Sequence, residues 1–280
     1  MTALAPDPRV LADNLAQVPR AVVMTMGALH EGHARLLDAA RESVGPNGQV
    51  VATIFVNPLQ FGEGEDFDRY PRTFEADLAL CEARGVDVVF APSVEHMYAD
   101  DHVTIDPGPI AHILEGAQRP GHFTGVLTIV AKLLHLTKAD VALFGEKDYQ
   151  QLTAIRMMVR ALDFPVEVVG VPTVREGDGL AMSSRNRYLS DEERAAAVVV
   201  PRALGAGAAV ALTGADAEEV LQVTRDVLAQ EPLASPDYVS LTDVNLGPSP
   251  QSGAARLLTA VRFGNTRLLD NVGFVLGGSA

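Results

Sequence analysis

Tryptophan is absent from this 280-residue chain, cysteine occurs once, at Cys81, and aromatic residues make up only 5%. A single thiol closes no internal disulfide, which excludes a small stapled secreted scaffold and makes a cytoplasmic location the expectation. Basic residues are scarce too: 22 Lys and Arg face 36 Asp and Glu, a formal net charge of −14. Such a field repels nucleic acid and anionic membranes, so neither is expected as a partner. No apolar run approaches bilayer-spanning length, and residues 1–14 lack the basic start and apolar centre of a secretory leader. Internal repeats and low-complexity tracts are lacking. So is a Walker loop, because Lys147 has neither the glycine spacing before it nor a Ser or Thr after it. Gly205-Ala206-Gly207 begins a G-x-G pattern but sits in an Ala-rich helical stretch without the last glycine, and is discounted.

What is present is a globular composition, 48% hydrophobic and 21% charged, long enough for one large or two modest domains. Apolar runs at residues 21–24, 50–56, 87–90, 141–144 and 166–171 read as strands. They alternate with helical patterns at 9–17, 34–43, 73–84, 126–136 and 149–162. Strand and helix in alternation predict an α/β, doubly wound parallel Rossmann-like sheet over residues 1–173. Residues 92–121 read as irregular, with a short extra strand at 103–105, and residues 60–70 as a lid or a solvated loop. Cys81, with Phe74 and Leu78 on its side of a helix, reads as a core thiol. After Pro172 the pattern changes. A capping box at Ser190 and Glu193 opens a long Ala-rich helix, a second follows at 217–230, and strands at 238–242, 256–262 and 266–274 end the chain, the last two joined by a Gly264-Asn265 turn. This is a smaller α+β C-terminal domain, residues 174–280.

The chain is organised around Met26-Gly27-Ala28-Leu29-His30-Glu31-Gly32-His33, where the first strand breaks at glycine and a helix begins. Such a turn offers free backbone N–H groups and the positive end of a helix dipole to a phosphate. His30 and His33, three apart, share a face if the segment is already helical. A single histidine at a helix start is more often a cap or surface residue, and zinc is a rival for the pair, although zinc pairs favour wider spacing and no Cys or third His follows nearby. Gly145-Glu146-Lys147-Asp148 lies at another strand end. Lys147 there suits a polyphosphate, and Asp148 either a magnesium ion, a ribose or a helix N-cap. Met182-Ser183-Ser184-Arg185-Asn186-Arg187 has the makings of an anion clamp. Asn57-Pro58-Leu59-Gln60 ends the second strand with an amide that both donates and accepts.

His30-Glu31-Gly32-His33 matches the His-x-Gly-His signature of the nucleotidyltransferase superfamily, and Met182-Ser183-Ser184-Arg185 resembles a variant of the Lys-Met-Ser-Lys-Ser loop of class I aminoacyl-tRNA synthetases. With Asn57-Pro58-Leu59-Gln60-Phe61, Tyr70-Pro71-Arg72-Thr73 and Gly145-Glu146-Lys147-Asp148-Tyr149-Gln150-Gln151 in this order, nearly the whole chain resembles the pantothenate synthetase (pantoate–β-alanine ligase) family. The resemblance implies an ATP- and magnesium-dependent ligase joining pantoate to β-alanine through a pantoyl-adenylate, as a cytoplasmic homodimer with a lid-like second domain. It implies catalytic roles for His33 (the proton donor), His30 and Lys147. ATP would meet Met26, Gly27, Ala28, Leu29, His30, Glu31, Gly32, His33, Gly145, Glu146, Lys147, Asp148, Val174, Met182, Ser183, Ser184 and Arg185. Gln60 and Gln151 would hold pantoate, and the magnesium ligands stay unassigned. Met24 departs from the family's usual proline, which loosens the turn, and the thin acidic cluster around Asp77 gives no ground for a metal role there. The alternatives are a related transferase leaving AMP in its product, a non-catalytic nucleotide-binding module and a zinc hydrolase.

Overall fold

The computed structural model describes residues 2–65, 67–98 and 102–277. The chain divides into two compact units, residues 1–146 with 150–172, and residues 147–149 with 173–280.

The first unit runs β1 (Ala3–Ala5), α1 (Pro8–Asp13), β2 (Arg20–Thr25), α2 (Glu31–Val44), β3 (Gln49–Ile54), α3 (Phe74–Ala83), β4 (Val88–Phe90), α4 (Val94–Met97), α5 (Leu114–Gln118), α6 (His122–Thr137), β5 (Val141–Gly145), α7 (Tyr149–Ala161) and β6 (Glu167–Val171). Six strands form one sheet in the order β1-β4-β3-β2-β5-β6, and every neighbouring pair is parallel. Side chains alternate across a strand, and here both faces are filled. Ala21, Val23, Val50 and Ala52 meet Leu37 and Ala40 of α2 and Cys81 of α3 in one core. Val22 and Val51, on the opposite face, are equally inaccessible. Burial pushes the Cys81 thiol up to about 12, so it is an inert core thiol as expected.

Chain order fixes where a ligand can bind. From β2 the chain proceeds to β3 and β4 on one side, then returns to β5 on the other side of β2. The carboxyl ends of β2 and β5 therefore flank the topological switch point, the usual ligand crevice of such sheets.

Several expectations need correction. The sheet gains β1, too short and polar-flanked to stand out in sequence, which pairs with β4 at the edge. The first helix ends at Asp13 rather than residue 17, because Asn14 already caps it. Residues 103–105 form no strand: Val103 is 88% exposed, and the Ile105 N–H goes to Thr128 Oγ1. Phe74 is 39% exposed and lies outside the Cys81 core.

The second unit has α8 (Asp191–Ala196), α9 (Val199–Leu212), α10 (Ala217–Leu228), β7 (Ser235–Asp243), β8 (Gly253–Phe263) and β9 (Thr266–Leu276). Its strands form an antiparallel sheet in the order β7-β8-β9, with Gly264 of the last turn at φ 55°. The Ser190–Glu193 capping box forms as read, Glu193 N–H donating to Ser190 Oγ at 3.2 Å and Ser190 N–H to Glu193 Oε2 at 2.8 Å. The long Ala-rich helix is two helices, since Pro201 has no N–H to return to Ala197 and the chain breaks stride just before it. Contrary to the sequence reading, Asp191–Leu212 is long and apolar enough to cross a membrane by length and composition. Its Val199, Val200, Ala203, Leu204 and Ala211 are instead committed to the core shared with Leu257, Val261 and Phe263.

Candidate active site

Three chain segments leave the carboxyl ends of the adjacent strands β3, β2 and β5. At the end of β2, Thr25 Oγ1 donates to Thr53 O of β3 (2.7 Å) and accepts the Gly27 N–H (3.2 Å). The chain then turns through Gly27 at φ 85° and Ala28 at φ 52°, a region costly for alanine. Asp77, 2% exposed on α3, compensates: Oδ2 accepts the Ala28 N–H at 2.9 Å, and Oδ1 accepts Leu29 N–H at 2.8 Å and Thr73 Oγ1–H at 3.0 Å. A side chain on Gly27 would meet Asp77 Oδ2 at 3.0 Å, so glycine is needed for both space and φ. Met24, where the family usually has proline, is paired with Thr53 inside β2, just before the turn.

His30 is not helical but the N-cap of α2, with φ −139° and ψ −179°. Its Nδ1 accepts the Gly32 N–H (3.1 Å), while His33 Nδ1 accepts the His30 N–H (3.2 Å), a capping box built from two imidazoles. The cap and ligand readings of the sequence are thus compatible. Because each Nδ1 accepts, each neutral ring carries its proton on Nε2. The ring centroids lie 4.2 Å apart. One expectation changes: the N–H groups of Gly27, Ala28, Leu29, His30, Gly32 and His33 all have internal partners, so the turn is not an open backbone cradle. What the turn keeps for an anion is the pair of imidazoles and the positive end of the α2 dipole.

At the end of β3, Asn57 is 1% exposed and organises the next four residues. Its Oδ1 accepts the Tyr98 O–H (2.7 Å) and the Leu59 N–H (3.3 Å). Its Nδ2 donates to Gly125 O of α6 (3.0 Å) and to Gln60 Oε1 (3.2 Å). The Gln60 Nε2 in turn contacts Met26 Sδ at 2.9 Å, which brings two predicted site residues together. Gly125 permits this: a Cβ there would sit 2.1 Å from the Leu59 carbonyl oxygen.

After β5, Glu146 Oε1 lies near Gly170 of β6, 3.2 Å from where a Cβ would be. Lys147, Asp148 and Tyr149 are gripped within the second unit. Asn271 Nδ2 donates to Lys147 O (2.9 Å), Tyr149 O–H donates to Val244 O (2.8 Å), and Arg256 stacks on the Tyr149 ring at 3.9 Å. Lys147 Nζ is 3.4 Å from Asp148 Oδ1. The two following glutamines differ. Gln150 is 3% exposed and bound to the backbone of Ile110, Ile113 and Glu115, whereas the Gln151 amide makes no hydrogen bond among the described residues.

In the second unit, Met182 N–H donates to Val174 O (2.9 Å) and Arg175 bridges Ala181, so the serine-arginine run leaves a short hairpin rather than a random loop. Ser183 caps the following 3₁₀ turn by accepting the Arg185 N–H at 3.3 Å. Asn186 Nδ2 is tied to Glu176 Oε1 (2.7 Å), and Arg175 forms a bidentate pair with Asp270 at 2.7 and 3.0 Å. That pair raises the Arg175 guanidinium above its ordinary value, and it stays charged.

Sequence reasoning missed Asp77 as the brace of the turn, Tyr98 behind Asn57, and the Arg119–His122 pair at the start of α6. An aspartate forty-nine positions from Ala28 carries no local signal of such a role.

Residues 9–273 match the family described as pantoate-beta-alanine ligase. The pantothenate synthetase of Salinispora arenicola is 58% identical over 254 residues, 90% of this chain and 89% of the relative. That of Saccharopolyspora erythraea is 54% identical over 275 residues, 95% and 90% of the two chains. The crystal structure of pantothenate synthetase from Thermus thermophilus has a TM-score of 0.93 at 48% identity, covering 96% of this chain and 98% of that one. Pantoate-beta-alanine ligase from Francisella tularensis, complexed with β-γ ATP and β-alanine, has a TM-score of 0.80 at 31% identity over 97% of each chain. A family match across nearly the whole length, with more than half of the residues shared with full-length relatives, means that the chain belongs to the pantoate–β-alanine ligase (pantothenate synthetase) family.

Proposed function

We propose that this pantoate–β-alanine ligase forms its amide by the adenylate route. A pantoate carboxylate oxygen attacks the α-phosphorus of ATP, pyrophosphate leaves, and the β-alanine amine then displaces AMP from the pantoyl carbonyl. The carrying observation is the imidazole pair: both Nδ1 atoms are occupied by backbone N–H groups, so each neutral ring at the switch-point turn keeps its proton on Nε2. Preorganised donors of this kind stabilise charge developing on phosphate oxygens, and His33 would protonate the departing group. Gln60, fixed by Asn57 on the neighbouring strand end, and Gln151 would take pantoate without adding charge to a site that already joins two anions. Lys147, Ser183, Ser184 and Arg185 would supply the remaining contacts to the nucleotide, with the second unit as its lid.

Magnesium belongs to this reading as the companion of the triphosphate. Asp77 does not fit as a ligand, since both its oxygens hold the turn, and among the described residues no group of three His, Cys, Asp or Glu side chains could hold an ion. An ion bound mainly by phosphate and water oxygens fits that donor set. A cytoplasmic homodimer completes the reading, on the single buried thiol and the family resemblance.

The test is product analysis with purified enzyme. Pyrophosphate released with pantoate and ATP, together with steady AMP formation that requires both pantoate and β-alanine, supports the route. ADP and phosphate, or a product that retains AMP, would refute it.

A further inference from the structure

The hydrogen bonds around Gln60 continue outward through residues that the mechanism above does not use. Gln60 O is an acceptor only, and His122 Nδ1 lies 2.8 Å from it, so Nδ1 carries the proton. On the other side of the ring, His122 Nε2 is 3.0 Å from Arg119 Nη1, which can only donate, so Nε2 offers its lone pair. The ring is therefore neutral, in one defined tautomer. Burial first, then the Arg119 charge, pushes its pKa down to about 4, against the opposing pull of the Gln60 carbonyl, Glu65 and Glu115. Arg119 is itself held from behind by a fork of two bonds to Glu65, Nε to Oε1 at 2.8 Å and Nη2 to Oε2 at 2.5 Å, with both side chains mostly buried. A further Nη2 contact reaches Gln60 O at 3.4 Å.

We propose that Glu65, Arg119 and His122 form a positioning relay that clamps the Gln60 backbone and thereby sets where the Gln60 amide meets the pantoate hydroxyls and carboxylate. The relay closes a ring in the chain. Gln60 precedes the loop that carries Glu65, and that loop is held at two points, at residue 60 by His122, the first residue of α6, and at residue 65 by Arg119, which caps the C-terminus of α5. With Asn57 holding the side-chain oxygen of Gln60 and His122 its main-chain oxygen, neither the amide plane nor the backbone can shift alone. None of the three touches pantoate in this account; they act through Gln60. The proposal rests on Gln60 as a pantoate contact.

The experiment is a double-mutant cycle read in steady-state kinetics, with separate KM values for pantoate and ATP. H122F removes the donor, and should raise the pantoate KM by about tenfold, the scale of a sub-ångström misplacement of a binding group. The ATP KM should stay within about twofold. H122N, whose amide N–H can stand in for Nδ1–H, should recover most of the loss. In a Q60A background H122F should add nothing, because the group it positions is gone. An H122F effect on pantoate that persists in full beside Q60A, or no H122F effect where Q60A alone raises the pantoate KM, would overturn the relay and leave the Gln60 assignment standing. A pantoate KM unchanged in Q60A itself would overturn the assignment and the relay together. Should H122F fail to accumulate as folded protein, E65Q carries the same cycle, since it breaks the fork while leaving α6 intact.

Discussion

Asp77 holds Ala28 in a left-handed conformation: the carboxylate Oδ2 accepts the Ala28 N–H at 2.9 Å while Ala28 sits at φ 52°. A residue on α3 thus fixes the turn on which both signature histidines depend. D77N puts an N–H₂ group against one of two buried N–H donors and should cost about 2 kcal/mol, the range for losing a bond to a charged acceptor. The ATP KM should rise with it, and the magnesium concentration for half-maximal rate should not move. A shifted magnesium midpoint with unchanged thermal stability would make Asp77 a metal ligand instead of a brace.

In the proposed mechanism the two histidines add a catalytic job to the capping one the structure shows, and a single substitution can separate the two. Asparagine is a good N-cap, so H30N keeps an acceptor for the Gly32 N–H while removing the imidazole. Its melting temperature should stay near that of the unaltered protein, whereas kcat should fall by roughly a hundredfold, the scale of one lost preorganised donor. H33A should show a comparable kcat loss. If H30N retained normal kcat, His30 would be a cap and nothing more.

Much of this arrangement is legible in the amino-acid sequence, and what is not has a physical reason. The parallel sheet is legible because strands buried on both faces are written as apolar runs such as Val50-Val51-Ala52, and glycine marks the turn that must adopt positive φ. The signature motifs that the proposed site uses are legible because their residues are close in the chain. Asp77, Tyr98, Arg119 and His122 are illegible for the opposite reason: each acts on a backbone or side-chain atom dozens of positions away, and their local sequence is that of an ordinary helix or loop. The segment 92–121 looks irregular because much of its bonding is to distant partners, such as the Glu115 N–H to Gln150. The absence of a backbone cradle was equally hidden, since it depends on which side chains return to the turn.

The neutral His122 makes stability depend on pH in a defined window. Burial and Arg119 push the ring down to about 4 in the folded protein from its ordinary 6.5, and the Gln60 carbonyl, Glu65 and Glu115 only partly oppose them. The unfolded chain therefore binds this proton first, and the stabilisation present above the unfolded value is lost as the pH falls toward the folded one. Glu65, held below its ordinary value by Arg119, loses stabilisation in the same direction at still lower pH. H122N lacks the titrating ring, so the difference in melting temperature between it and the unaltered protein should shrink between pH 7 and pH 4.5. A constant difference across that range would show that His122 is not held neutral.

The central claim, that pantoate attacks the α-phosphorus, is most directly tested by following an oxygen atom. Pantoate labelled with heavy oxygen in its carboxylate, turned over with ATP, magnesium and β-alanine, should yield AMP carrying one labelled oxygen, because the attacking atom becomes the bridge to phosphorus and leaves with AMP. Mass spectrometry of the AMP reads this in one experiment. Unlabelled AMP in a reaction that still makes the amide, or label recovered in inorganic phosphate beside ADP, would contradict the account.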